Sequence, residues 1–440
     1  MSWFRILNLS PMKAKIIPII SILFLSAIFF FSCEDATYRE YKGNAPVYLS
    51  YEDLRNAIVN QQNIKLENPG KIYYKDNYIF IVEELKGIHV FDNNDPASPV
   101  KKVFVKIPGV VDISISGYIL YADSYVDLVI IDVQNVDNIR EVGRVRDILP
   151  YTVPPTGNDF PTAYVDDKKG VVLEWDVKTI RERIYTNPNP WPVYYKGGIA
   201  FLDASNASGA SSGVSGSGTG FGGSMARFGI KEKVLYIVDQ SNLKIFDITN
   251  KTSPVKFQDI YPGWGVETMF LTENNMFLGT TTGMVIYDIS IPLYPKNRTF
   301  FRHATSCDPV VVDDTLAYVT LRTGTTCGGN INCLDVVNVK DLTKPVLVMT
   351  YPLSNPHGLG KKGDLLFICD GDAGLKIYDA SDPRTITSHL IYTYPNINAY
   401  DVIPIGNLLV LIGDEGLYQY DYSNIQNIRL LSKIEVSKKP

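Results

Sequence analysis

The sequence predicts an all-β chain, a single β-propeller of seven or eight four-stranded blades preceded by a signal peptide and a short N-terminal helix. Three observations carry that expectation. A short apolar run closed by an acidic or amide residue recurs, at Asp92, Asp132, Asp203, Asp247, Asp288, Asn338, Asp379 and Asp421. Successive anchors lie 40 to 50 residues apart, with one gap of 71. A period near forty with four strand-like runs per unit is the pattern of a propeller. Segments with helical periodicity are nearly absent.

The 440-residue chain starts with its clearest segment. Lys13 and Lys15 precede an apolar run from Ile16 to Phe31. That run is short for a membrane span, which needs about 20 apolar residues, and residues 1–32 read as an export signal. The segment ends in Phe30-Phe31-Ser32-Cys33, which resembles a bacterial lipobox with Phe30 in place of the usual Leu. On that resemblance Cys33 is acylated and becomes the first mature residue. Two or three acyl chains on one cysteine hold a membrane stably where a single chain is marginal. Residues 33–68 then form an anchor linker with a short helix, because Ser50 and Asp53 in SYEDLRNAIVN suit a helix cap.

The propeller is expected over residues 69–437. The unit from Met225 shows its four runs, MARFGI, VLYIVD, LKIFDI and VKFQDI. Each is rich in β-branched and aromatic residues and bounded by turn formers. Such a sheet cannot bury both faces alone, but stacking on its neighbours around a ring does so. The phrase GLKIYDASDP at 374–383 shows how a unit is punctuated. Asp379 ends the third strand and Asp382-Pro383 turns the chain toward the fourth. The period breaks within 147–224, where a degenerate third blade is followed by a Ser/Gly tract from Ala204 to Ser224. A flexible tract buries little, so its deletion is expected to leave the melting temperature nearly unchanged. Seven units are well formed and one is degenerate, which leaves seven or eight blades open.

Several phrases carry a family resemblance. LVIID at 128–132 resembles the LVIVD repeat. Longer stretches at 120–132, 307–324 and 355–383 are similar to a subfamily of envelope lipoproteins. The resemblance covers roughly residues 69–436 and implies a propeller and an outer-membrane address, periplasmic or at the cell surface, with no established activity. Glu34-Asp35 resembles the acidic tag of surface-exported lipoproteins in Bacteroidota.

Charge and motifs narrow the function. Losing Arg5, Lys13 and Lys15 with the signal takes the formal charge from −5 to −8. An acidic chain without a basic stripe is a poor nucleic-acid binder. Let the strands of a blade be A to D from the axis outward. The D–A and B–C connections then share one face, where loops held by a rigid scaffold carry function. On it lie Asp123, Asp127, Asp370 and Asp372 from B–C loops, and Asp308 and His357 from the D–A side. These could bind Ca²⁺ through clustered carboxylates, or a protein or carbohydrate ligand. They could equally form tight turns, as CDGDAG suits. An enzyme on the same face, a metal-dependent hydrolase or lyase using His303 or His357, is the alternative. Export exposes Cys307, Cys327 and Cys333 to an oxidising compartment, so a disulfide is expected among them. Cys369 reads as a buried thiol. His89 and His389 read as structural. GASSG at 209–213 and GTGFGG at 218–223 match catalytic and nucleotide-binding patterns. They lie in a Ser/Gly tract without the strand-turn-helix setting that chemistry requires.

Overall fold

A computed structural model describes residues 38–156, 159–183, 221, 222, 224, 226–239, 241–263, 265–303, 309–322 and 331–437. Before the first blade come β1 (Tyr38–Leu49), α1 (Tyr51–Arg55) and β2 (Val59–Gln61). Blade 1 holds β3 (Pro69–Lys75), β4 (Tyr78–Glu83), β5 (Gly87–Asp92) and β6 (Val100–Lys106). Blade 2 holds β7 (Ile113–Ser116), β8 (Ile119–Ser124), β9 (Asp127–Asp132) and β10 (Arg140–Val145). Between blades 2 and 3 lie β11 (Val171–Arg183) and β12 (Phe221–Gly222). Blade 3 holds β13 (Phe228–Lys231), β14 (Val234–Asp239), β15 (Asn242–Asp247) and β16 (Val255–Ile260). Blade 4 holds β17 (Val266–Leu271), β18 (Asn275–Thr280), β19 (Gly283–Asp288) and β20 (Lys296–Arg302). Blade 5 holds β21 (Val310–Asp313), β22 (Leu316–Leu321), β23 (Cys333–Asn338) and β24 (Val346–Pro352). Blade 6 holds β25 (Leu359–Lys362), β26 (Leu365–Cys369), β27 (Leu375–Asp379) and β28 (Leu390–Tyr394). Blade 7 holds β29 (Ala399–Ile405), β30 (Leu408–Gly413), β31 (Gly416–Asp421) and β32 (Arg429–Glu435).

Each blade is an antiparallel meander of four consecutive strands. The second and third strands are apolar on both faces because a blade sits on either side. In β14 all of Val234–Asp239 is buried, whereas the outer β16 is mostly exposed. The apolar clusters lie between neighbouring blades. Val82 and Ile88 of blade 1 meet Ile113, Leu120 and Val129 of blade 2, and Ile81 and Phe91 meet Ile403, Val410 and Leu417 of blade 7. Full burial of one such side chain contributes about 1.5–3 kcal/mol. Blade 2 also packs directly on blade 3, with Tyr121, Leu128 and Ile130 against Phe228, Leu235 and Phe246. Seven blades therefore close the ring among the described residues, and no slot remains for an eighth. The phrase ending at Asp203 lies outside the described residues.

The recurring anchor residue closes a turn. The side chains of Asp132, Asp247, Asp288, Asn338, Asp379 and Asp421 each accept the backbone N–H two residues on, at 2.7–2.9 Å. A second turn of the same kind follows three residues later, as at Asp382, which accepts Arg384 N at 2.9 Å. An Asp or Asn side chain mimics the carbonyl of a backbone turn in this way. The hydroxyl, and next the amide, of the Thr or Ser two residues on hold the Asp247, Asp288, Asp379 and Asp421 carboxyls low, and Arg429 helps take Asp421 to about 2.

Three pieces depart from the repeat. Residues 38–49, expected as linker, form β1, which pairs over its whole length with β11 as a two-stranded antiparallel ribbon. The expected helix is present as α1. Ser50 Oγ accepts Asp53 N at 3.0 Å, and Leu54 is fully buried against Tyr125 and Val126. The Ser/Gly tract is not uniformly loose. Phe221 and Gly222 pair with Tyr74 and Tyr73 on the inner edge of β3. Ser224 is fully buried, and its Oγ accepts Leu359 N of blade 6 at 3.3 Å. The end of the tract thus lies on the inner edge of blade 1, where Phe221 packs against the apolar cluster that blades 1 and 7 share.

Candidate functional site

The D–A and B–C face is built by loops that brace one another. In blade 1, Glu83 accepts the Glu67 and Asn68 amides at 3.0 and 2.7 Å. In blade 2, Asp123 Oδ1 accepts the Val111 and Asp112 amides at 2.8 and 3.0 Å. In blade 6, Asp370 Oδ1 accepts the Ser354 and Asn355 amides at 3.0 and 2.8 Å, and Lys376 Nζ reaches Oδ2 at 2.5 Å. A carboxylate at the end of the second strand thus pins the loop that enters its own blade. Asp127 sits beneath α1, held by Arg55 Nε and Arg144 Nη1 at 3.1 Å each and by the Asp147 amide at 2.9 Å.

Asp123, Asp127 and Asp370 are therefore engaged in holding the face together, and ligating a metal would break these braces. Among the described residues no group of three or more His, Cys, Asp or Glu is arranged to hold a metal ion. Asp372 is exposed in the tight turn after Asp370, next to Gly371 at φ 56°. His357 is buried. Its amide donates to Cys369 O at 2.7 Å and its ring lies 5.6 Å from that of Tyr400. Asp308 lies outside the described residues, as do Cys33, Cys307 and Cys327. Cys333 and Cys369 are buried thiols, and no disulfide forms among the described residues. Cys333 Sγ instead lies 3.9 Å from Asp335 Oδ1. Burial, with Asp401 and Asp370 nearby, pushes the Cys369 thiol well up, which makes it unreactive.

A different set of residues meets at the centre of this face. Lys71, Asp112, Arg227 and Asp401 occupy one position in, or just before, the innermost strands of blades 1, 2, 3 and 7, each seven residues before its second strand begins. The side chains reach round the ring. Lys71 Nζ bonds Asp112 Oδ2 at 2.9 Å, and that oxygen also accepts the Arg227 and Phe228 amides of blade 3 at 2.5 and 3.1 Å. Burial pulls the Lys71 ammonium below its usual range, against the opposing pull of Asp112. Asp401 is fully buried, and neither carboxyl oxygen has a hydrogen-bond partner of good geometry. Burial pushes its carboxyl well above the usual range, Asp112 adds to that, and the Val402 amide and Lys71 oppose it. Reading the loops for acids misses this set. The signal was a charged residue in, or just before, an otherwise apolar strand, at one register in four units.

Comparison with known proteins adds the repeat identity. Three stretches match the LVIVD repeat family, residues 109–147, 222–258 and 361–393. They fall on blades 2, 3 and 6. No curated protein matches the chain in sequence. Among solved structures, the chain is similar to the computationally designed Ika8 protein at 9% identity and a TM-score of 0.49, covering 85% of this chain and 91% of that one. A functionally unknown protein from Desulfotomaculum acetoxidans matches at 11% identity and 0.49, over 82% and 98% of the two chains. BamB from Moraxella catarrhalis matches at 9% identity and 0.46, over 87% and 97%. The fold rests on the strand pairing itself, and these likenesses add no functional argument. The chain carries LVIVD repeats and folds as a seven-bladed β-propeller.

Proposed function

We propose that the protein is a lipid-anchored propeller of the outer membrane that acts by binding, through its D–A and B–C face, a protein or carbohydrate of the envelope. Asp401 carries this reading. A folded chain rarely buries a carboxyl without hydrogen bonds, because doing so costs stability. Such a group, set beside Lys71 and Asp112 at the hub of a braced face, is what a preformed binding surface retains. The lipobox-like run into Cys33, with Glu34-Asp35 after it, supports the anchor and the address.

Two experiments test the two halves. Cys33→Ala is expected to move the protein from the membrane to the soluble envelope fraction, and unchanged membrane retention would remove the anchor. For binding, envelope extracts are passed over wild-type protein and over Asp401→Asn and Arg227→Ala variants. A captured species lost with both variants supports the face, and identical capture by all three overturns it.

A further inference from the structure

We propose that the opposite mouth of the ring is a second binding site, for a neutral oligosaccharide. A cavity of about 870 Å³ opens where the first-to-second-strand turns of blades 4, 5 and 6 converge. That volume lies in the range of small-ligand sites.

The lining decides the ligand class. Glu273, Asp313 and Asp314 face Lys340, Lys361 and Lys362. Three acids against three lysines leave no net charge to concentrate a polyanion or a polycation. Part of this charge is already paired within the wall, since Lys361 Nζ bonds Asp313 Oδ2 at 3.1 Å. What remains is a rim of neutral and charge-balanced hydrogen-bonding groups around an aromatic ring. Phe221 lines the cavity from the inner edge of blade 1, packed against the apolar cluster that blades 1 and 7 share. Asn274, exposed at the turn, and Asn275 add amides to the lining, and an exposed amide offers both a donor and an acceptor.

A sugar ring presents C–H groups on one face and hydroxyls round its edge. An aromatic face suits the first, and carboxylates, amides and ammoniums suit the second because each hydroxyl both donates and accepts. Phe221 stands at this mouth because Phe221 and Gly222 pair with the inner edge of β3, and Phe277 of blade 4 adds a second aromatic residue to the lining.

The test is isothermal titration of the full-length protein with maltohexaose, cellohexaose and chitohexaose. Binding of at least one hexasaccharide is expected, with an affinity unchanged between low and high salt. Phe221→Ala is expected to weaken it at least tenfold. Asn274→Ala, at an exposed turn position that leaves the fold intact, is expected to weaken it severalfold with the melting temperature unchanged. Asp401→Asn is expected to leave it untouched, which separates this site from the one on the other face. Absence of binding by all three sugars at millimolar concentration overturns the proposal. So does binding indifferent to Asn274→Ala, or preference for a sulfated oligosaccharide with steep salt dependence.

Discussion

Asp401 is the residue at which folding and binding pull apart. Its folded carboxyl lies above the unfolded value of about 3.9. The folded state therefore keeps a proton that the unfolded chain releases, so its contribution to stability is present below about pH 4 and is lost as pH rises. Asp401→Asn removes that penalty while keeping the shape. The variant is expected to melt roughly 2–4 °C above wild type at pH 7–8, and the two curves should converge near pH 4. Parallel curves across that range would mean that the carboxyl is already satisfied. Gain in stability together with loss of binding is the expected signature of a functional group held at a cost to the fold. Lys71→Met at the same ring has the opposite consequence, since it removes the cation bonded to the buried Asp112 carboxylate, and is expected to be strongly destabilising.

At the scale of elements, the turns and the insertions behave differently. The anchor carboxyls of Asp247, Asp288, Asp379 and Asp421 are all held below their unfolded value, first by the hydroxyl and then by the backbone amide of the Thr or Ser two residues on. Their contribution is present above about pH 4 and is lost as pH falls toward 2. Replacing all four by Asn keeps the acceptor oxygen and removes the titration, as Asn338 already does in blade 5. The stability of that variant between pH 4 and pH 2, followed by circular dichroism, is expected to fall less steeply than wild type. These turns were legible in the sequence because the acceptor, its amide and the flanking strands are local. The ribbon was not, because Tyr38 meets Arg183 across more than a hundred residues and neither strand alternates cleanly. Residues 204–220 of the Ser/Gly tract lie outside the described residues, and on composition a deletion that spares Phe221 onward is expected to be nearly neutral. A deletion through Ser224 removes a strand pair and a buried hydroxyl, and is expected to lower the melting temperature by several degrees. Equal melting of the two deletions would show that the inner strand contributes nothing.

For the whole molecule, the critical place is the seam between blades 7 and 1. The number of four-stranded units follows from period alone, but how the ring closes depends on which distant strands meet, and no local pattern reports that. Here each blade is made from consecutive strands, so no exchanged strand ties the last blade to the first. Side chains do it instead. The Asn93 and Gln419 amides, both buried, donate to each other's carbonyls at 2.8 and 2.7 Å. Ser432 Oγ donates to Pro96 O at 2.6 Å beside them. Removing Asn93 leaves the buried Gln419 carbonyl unpaired while its amide N–H groups keep Pro96 O and Ser432 Oγ; the unpaired oxygen costs about 1–3 kcal/mol, and replacing both partners with apolar groups of similar shape removes it. Asn93→Leu alone is therefore expected to lower the denaturation midpoint by that amount. Asn93→Leu with Gln419→Leu is expected to recover most of the loss, and the coupling is read from a double-mutant cycle in urea. If closure limits the stability of the ring, the single variant also unfolds in two steps, because blades 1 and 7 separate before the remainder melts. A single transition with unchanged midpoint in the single variant would mean that the apolar cluster of Ile81, Phe91, Ile403 and Leu417 holds the seam unaided.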